Sequence, residues 1–138
     1  DTIRVWPMVA GVNEEFYAKP DAGQLIVSPA DETATSPHDA WPTEEDLAIG
    51  IDFLSQIAEI SVDRITSSWA GLRTFSPDKA LVIGHDKINP EFFWFAGQGG
   101  YGFQTSAAAS ELASELILGI SPSIGRDVSN SLSPSRFY

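Results

Sequence analysis

The sequence predicts an α+β fold: a mixed or antiparallel sheet with a flanking helix, followed by a strand, a glycine turn and a second helix. Three observations carry this expectation. Two short runs with apolar character, residues 16–19 and 24–28, flank Pro20-Asp21-Ala22-Gly23. Thr43 followed by three acids opens a helical pattern. The apolar run 92–96 leads into Gly97-Gln98-Gly99-Gly100-Tyr101-Gly102 and then into another helical pattern.

Each element has a local reason. In Pro20–Gly23 the proline presets φ, the aspartate can hydrogen-bond its own backbone and the glycine tolerates positive φ, so the two runs form a hairpin. Residues 29–42, PADETATSPHDAWP, read as a loop. Thr43 is an N-cap, and Glu44, Glu45 and Asp46 meet the positive end of the helix dipole. Leu47, Ile51, Leu54 and Ala58 recur on one face, giving a helix over 43–59. Residues 61–75 read as extended, with a bend at Gly71. Ser76-Pro77-Asp78-Lys79 is a turn with proline at its second position. Strands follow at 80–83 and 91–96. The second helix is expected over 105–118, with Ala109, Leu112, Ala113, Leu116 and Ile117 facing inward. Gly119 suits the position just past its C-cap, and Pro122 follows. The last 19 residues carry six serines, the composition of a disordered tail unless it docks on the rest.

Composition removes several function classes. At 138 residues and 43 % hydrophobic content the chain can build a core. Eight Lys and Arg against nineteen Asp and Glu give a net charge of −11, which repels phosphate backbones and anionic lipid. No apolar run approaches the ~20 residues of a membrane span. Nucleic acid and a membrane span are therefore not expected. With no Cys, disulfides and thiolate chemistry are excluded. The two histidines, His38 and His85, lie in polar, turn-rich stretches and read as surface residues, and no metal site is expected. The start of the chain has neither a basic n-region nor an apolar h-region, and the expected location is cytoplasmic.

The glycines at 97–102 spell G-x-G-x-x-G, the dinucleotide fingerprint. A dinucleotide site also needs a second parallel strand after the helix, with an acidic residue about 20 positions on. No apolar run after Gly119 is long enough for that strand, and Asp127 lies in a Ser-rich setting. The βαβ unit is therefore not expected to close. The local physics remains: glycines let backbone approach a ligand, and the helix N-terminus behind them is a positive dipole end. Such a turn suits an electron-rich ring edge as well as a pyrophosphate.

Taken together, SSWAGLRTFSPDKALVIG and FFWFAGQGGYGFQTSAAASELASELI resemble the C-terminal end of the D-amino acid oxidase family of FAD-dependent amine and amino-acid oxidoreductases. Upstream, EEFYAKPDAGQLIVSPADE is similar to the hairpin of that family's substrate domain. The resemblance implies that residues 1–75 belong to the substrate domain and that residues 76–119 complete the FAD-binding domain. Residues 120–138 would be a Ser-rich tail. It implies a non-covalent FAD held largely by an N-terminal half that this chain lacks, and DTIRVW would be a cut edge. Activity of these residues alone is not expected. The partners would be that N-terminal half and a small amino acid or amine.

Under this resemblance Gly97, Gly99, Gly100, Tyr101 and Gly102 face the flavin ring, where a positive dipole end favours the reduced state. Arg73 corresponds to the arginine that clamps the substrate carboxylate; the other reading is a strand arginine paired with an acid such as Asp78. Tyr17 corresponds to a tyrosine near the substrate; the other reading is a half-buried strand residue. Gly100 stands where some relatives carry a second arginine, which leaves room for a bulkier substrate. Trp69 and Trp94 read as core, and Asp78 as a turn-former. The flavin takes the hydride itself, so no catalytic side chain is required. The alternatives are a non-catalytic acidic interaction domain with a flavoprotein-like fold, and a self-sufficient dinucleotide-binding module.

Overall fold

Turn chemistry and alternation set the first part of the chain. The structure, a computed structural model, describes residues 3–138. Asp1 and Thr2, at the expected cut edge, lie outside the described residues. The chain divides into two compact units, one reaching to Leu72 and the other spanning Arg73–Tyr138. Among the described residues there are five strands in two antiparallel sheets and three α-helices, the α+β class expected.

In the first unit a 3-10 turn, Ile3–Val5, precedes the two-residue strand β1, Val9–Ala10. Strands β2, Tyr17–Asp21, and β3, Gln24–Ser28, form the expected hairpin around Ala22 and Gly23. The sheet order is β1-β2-β3. Helix α1, Glu44–Ile57, carries a complete capping box: the Thr43 hydroxyl accepts from the Asp46 amide, and the Asp46 carboxylate accepts from the Thr43 amide. Of the expected face Leu54 is buried and Leu47 and Ala58 are half-buried, and the departure is at Ile51. Gly50 and Leu54 are buried, whereas Ile51 is exposed. The reason is packing: Gly50 brings the helix close to Val27 and Pro29, and the Phe53 ring stacks on Phe16 with centroids 5.2 Å apart. Residues 61–75 form no strand, and Trp69, expected in a core, is 68 % exposed.

The second unit opens with the expected turn, in which the Lys79 amide donates to the Ser76 carbonyl at 3.0 Å. Strands β4, Val82–His85, and β5, Phe93–Ala96, pair antiparallel. Strand β4 starts two residues later than the sequence suggests, because the Pro77–Asp78 turn extends to Ala80. Helix α2, Gly102–Ile117, packs Ala109 and Leu112 against Ile83. Leu81, Phe93, Ala113, Leu116 and Leu132 close the cluster. Ile117, expected inward, is exposed.

Helix α2 ends in a full Schellman motif. The Ile120 amide donates to the Glu115 carbonyl at 2.8 Å and the Gly119 amide to Leu116 at 3.3 Å. Gly119 takes φ +68°, a conformation a Cβ disfavours. The Ser-rich tail is ordered: helix α3, Arg126–Leu132, and a 3-10 turn, Pro134–Phe137, both pack on β4.

Ile83 and Leu112 are each 1 % exposed, so truncation leaves a cavity the backbone cannot collapse around. Leu112→Ala is expected to cost ~2–5 kcal/mol of stability, read as a lower denaturation midpoint. Ile117→Ala, on the exposed flank of the same helix, is expected to change stability by no more than ~0.5 kcal/mol.

Candidate functional site

The site is built where β5 runs through the glycine turn into α2. Gly99 is pinned from below. Its amide donates to the Thr74 carbonyl at 2.9 Å, and its φ is +50°. A Cβ at this position would stand 2.7 Å from Cε1 of Phe75, so a side chain is excluded both by conformation and by space. The Tyr101 amide donates to Gln98 at 2.9 Å and closes the turn. Helix α2 begins at Gly102, three residues earlier than expected, because this closed turn supplies the first helical geometry that Gly and aromatic propensities disfavour.

The two long helices differ at their N-termini. Helix α1 satisfies its first turn with its own Thr43 and Asp46, and three acids offset its dipole. Helix α2 has no side-chain cap from Tyr101 and no acid in its first turn. The first N–H groups of a helix have no intrahelical acceptor. The α2 terminus therefore offers a positive dipole end beside a turn that has no side chain at Gly97, Gly99, Gly100 and Gly102.

Arg73 lies against this turn. A Cβ on Gly100 would sit 3.5–3.7 Å from the Arg73 guanidinium atoms, so the guanidinium lies at van der Waals distance over this glycine. Arg73 is exposed, and among the described residues it has no hydrogen-bond or ion-pair partner. Asp78, the acid that could have neutralised it, is taken by Arg136. The Arg136 Nε donates to Asp78 Oδ2 at 2.7 Å and Nη2 donates to Oδ1 at 3.0 Å, a bidentate pair. Tyr17 lies on β2 of the first unit, half-buried and paired with Ala10 and Ser28. The residues the fold brings together are thus Arg73 and the glycine turn, both in the second unit.

Several contacts were not legible in the sequence. Asp78 is more than a turn-former: it accepts from Arg136, from the Ser76 hydroxyl at 2.8 Å and from the Ala80 amide at 3.1 Å. The Arg136 bond, then that of Ser76, holds its carboxyl well below the usual carboxylate range. Asp86 accepts from Trp94 Nε1 at 2.9 Å, from the Ile88 and Asn89 amides at 2.8 Å each, and from the Tyr138 hydroxyl at 2.9 Å. These bonds, with that of Trp94 first, hold it equally low, and the Tyr138 phenol is pushed up by its bond to Asp86. Trp94 therefore faces a partly polar setting rather than a core.

His85 Nδ1 lies 2.8 Å from the Pro90 carbonyl and its ring meets Phe93 edge-on at 5.0 Å. His38 Nδ1 lies 2.8 Å from the Ser36 carbonyl. A mostly apolar cavity of about 430 Å³ opens beside the base of the turn, lined by Thr74, Phe75, Gly97, Trp94, Pro134 and Phe137 among others.

The pairing of β4 with β5 is antiparallel, and among the described residues no strand follows α2. The G-x-G-x-x-G here is thus not the first turn of a parallel βαβ unit. The family model described as FAD dependent oxidoreductase matches residues 2–116. The chain belongs to this FAD dependent oxidoreductase family. The residues present fit a flavin of that family in one respect the structure displays. The turn at 97–102 presents backbone, an uncapped helix end and no acid to an electron-rich ring edge, with no Cβ at Gly99, Gly100 or Gly102 to hold it away. Among the described residues no helix is long and apolar enough to cross a membrane.

Gly99→Ala forces Phe75 or the turn to move, and it is expected to lower stability by ~1–3 kcal/mol, read from denaturant midpoints. The low Asp78 and Asp86 carboxyls contribute stability that is complete above the ordinary carboxylate pKa of ~4 and is lost as pH falls below it. Melting temperatures are therefore expected to fall on acidification below about pH 4, and less steeply in Asp78→Asn.

Proposed function

We propose that these residues are the C-terminal part of an FAD-dependent oxidoreductase that oxidises a D-amino acid or a related amine. The observation that carries this reading is Arg73: an exposed guanidinium beside the glycine turn, with the expected partner acid, Asp78, engaged by Arg136. In a chain of net charge −11, an unneutralised arginine next to a positive helix end marks a spot suited to an anionic group. A guanidinium meets a carboxylate through two parallel N–H groups.

In this reading Arg73 binds and orients the substrate carboxylate. Gly97, Gly99, Gly100, Tyr101 and Gly102 line the flavin edge, and Tyr17 contributes to the substrate side from the hairpin. When bound, FAD supplies the hydride acceptor for the Cα–H of the amine. The backbone of the turn and the α2 terminus stabilise negative charge on the electron-rich edge they face. No side chain of this chain is required to transfer a proton in the hydride step. Residues to about 75 serve the substrate domain, and residues 76–119 complete the FAD-binding domain. An N-terminal half of the same enzyme holds most of the cofactor non-covalently, and this chain, which has no Cys, offers no cysteinyl link.

Arg73→Leu in the flavin-containing enzyme is expected to raise KM for an amino-acid substrate about 10- to 100-fold, since a charge-assisted pair is worth ~1.5–3 kcal/mol. Steady-state kinetics over a panel of D-amino acids reads it. Unchanged KM across that panel would remove Arg73 from the site.

A further inference from the structure

We propose that Arg136 is a positioning residue for the Arg73 face of the glycine turn, acting through the turn at residues 76–80. The segment 73–75 belongs to no strand, so no sheet ladder fixes it. Two things hold it on the glycine turn: the Gly99 amide on the Thr74 carbonyl, and the Phe75 ring against Gly99. Its outgoing end is the Ser76 turn, and that turn is organised by one carboxylate and one guanidinium. Ser76 Oγ donates to Asp78 Oδ1 at 2.8 Å and lies 2.5 Å from the Ala80 carbonyl.

Arg136 then closes the turn from the far end of the chain. Its fork grips Asp78, and Nη2 also donates to the carbonyls of Ala80 at 3.2 Å and Leu81 at 3.0 Å. Nη1 donates to the Ser133 carbonyl at 3.0 Å, and the guanidinium stacks on Phe137 at 4.2 Å. The side chain is only 14 % exposed, so this is a seated group rather than a loose surface pair.

The tail that carries Arg136 is fixed on both sides of it. Pro134 rests on Gly84, where an added Cβ would come within 3.1 Å of the ring, and the Tyr138 hydroxyl donates to Asp86. A planar fork with several donors meets this set of acceptors; a lysine ammonium reaches only part of it. Loss of the fork frees the 76–80 turn, and with it the backbone that sets Arg73 beside Gly100. The substrate half of the proposal rests on Arg73 being the carboxylate clamp.

The test uses Arg136→Lys and Arg136→Ala in the full chain and reads amide hydrogen exchange at Gly99. The Ile88 and Asn89 amides, held locally by Asp86, serve as the internal reference. Exchange at Gly99 is expected to accelerate about 10-fold in both variants, with the reference amides within about 2-fold of wild type. Unchanged exchange at Gly99, or equal acceleration at all three amides, would overturn the proposal.

In the flavin-containing enzyme the same variants are expected to raise KM for an amino acid while kcat stays within about 3-fold. Faster Gly99 exchange with unchanged KM would overturn the substrate half. Arg73→Leu with unchanged KM would instead overturn the clamp reading and leave the exchange result standing.

Discussion

Gly99 is the fixed point of the second unit. Its amide is bound to Thr74 and the Phe75 ring occupies the space a side chain would need, so the glycine turn and the segment 73–75 form one body. This docking makes Arg73 a neighbour of Gly100, although the two are far apart in sequence. The closed turn, with the Tyr101 amide on Gln98, delivers the chain into helical geometry directly. In the proposed function, backbone dipoles set in place beforehand need not reorganise when charge develops on the flavin.

The electrostatics follow the same division. Most acids in this chain are solvated or bound into turns and caps: Asp46 in the α1 capping box, Asp78 on Arg136, Asp86 on Trp94 and two amides. Of these only Asp78 is offset by a cation, Arg136, while Asp46 and Asp86 keep their charge within a cap and a turn. The glycine turn has the opposite character, with no acid in the first turn of α2 and a guanidinium alongside. A strongly acidic protein thus keeps one local spot suited to an anion. That arrangement is directional, since the same helix end covered by a capping carboxylate would have no such use.

The elements readable from the sequence are those whose determinants lie within a few residues. The α1 capping box spans Thr43 to Asp46, the hairpin is set by Pro20–Gly23, and the end of α2 is written in Gly119. The glycine turn was legible for the same reason, and Arg73 through the W-A-G-L-R context around it. The rest depended on contacts distant in sequence. The inner face of α1 turned toward Gly50 because β3 lies there, which periodicity over Leu47, Ile51 and Leu54 does not encode. Residues 61–75 read as extended with a bend at Gly71 and join no sheet, and Trp69, which reads as core, is exposed together with Ile65 and Leu72. The Arg136–Asp78 pair joins positions 58 residues apart, and a lone arginine in a serine-rich tail gives no sign of its partner.

The proposed site holds a substrate carboxylate on Arg73 in contact with the flavin. Its most direct test is the visible difference spectrum of the flavin-containing enzyme titrated with a small, unreactive carboxylate. A saturable perturbation of the flavin bands that is lost in Arg73→Leu is the predicted result. A flat difference spectrum at concentrations where the same carboxylate competes with substrate would contradict it.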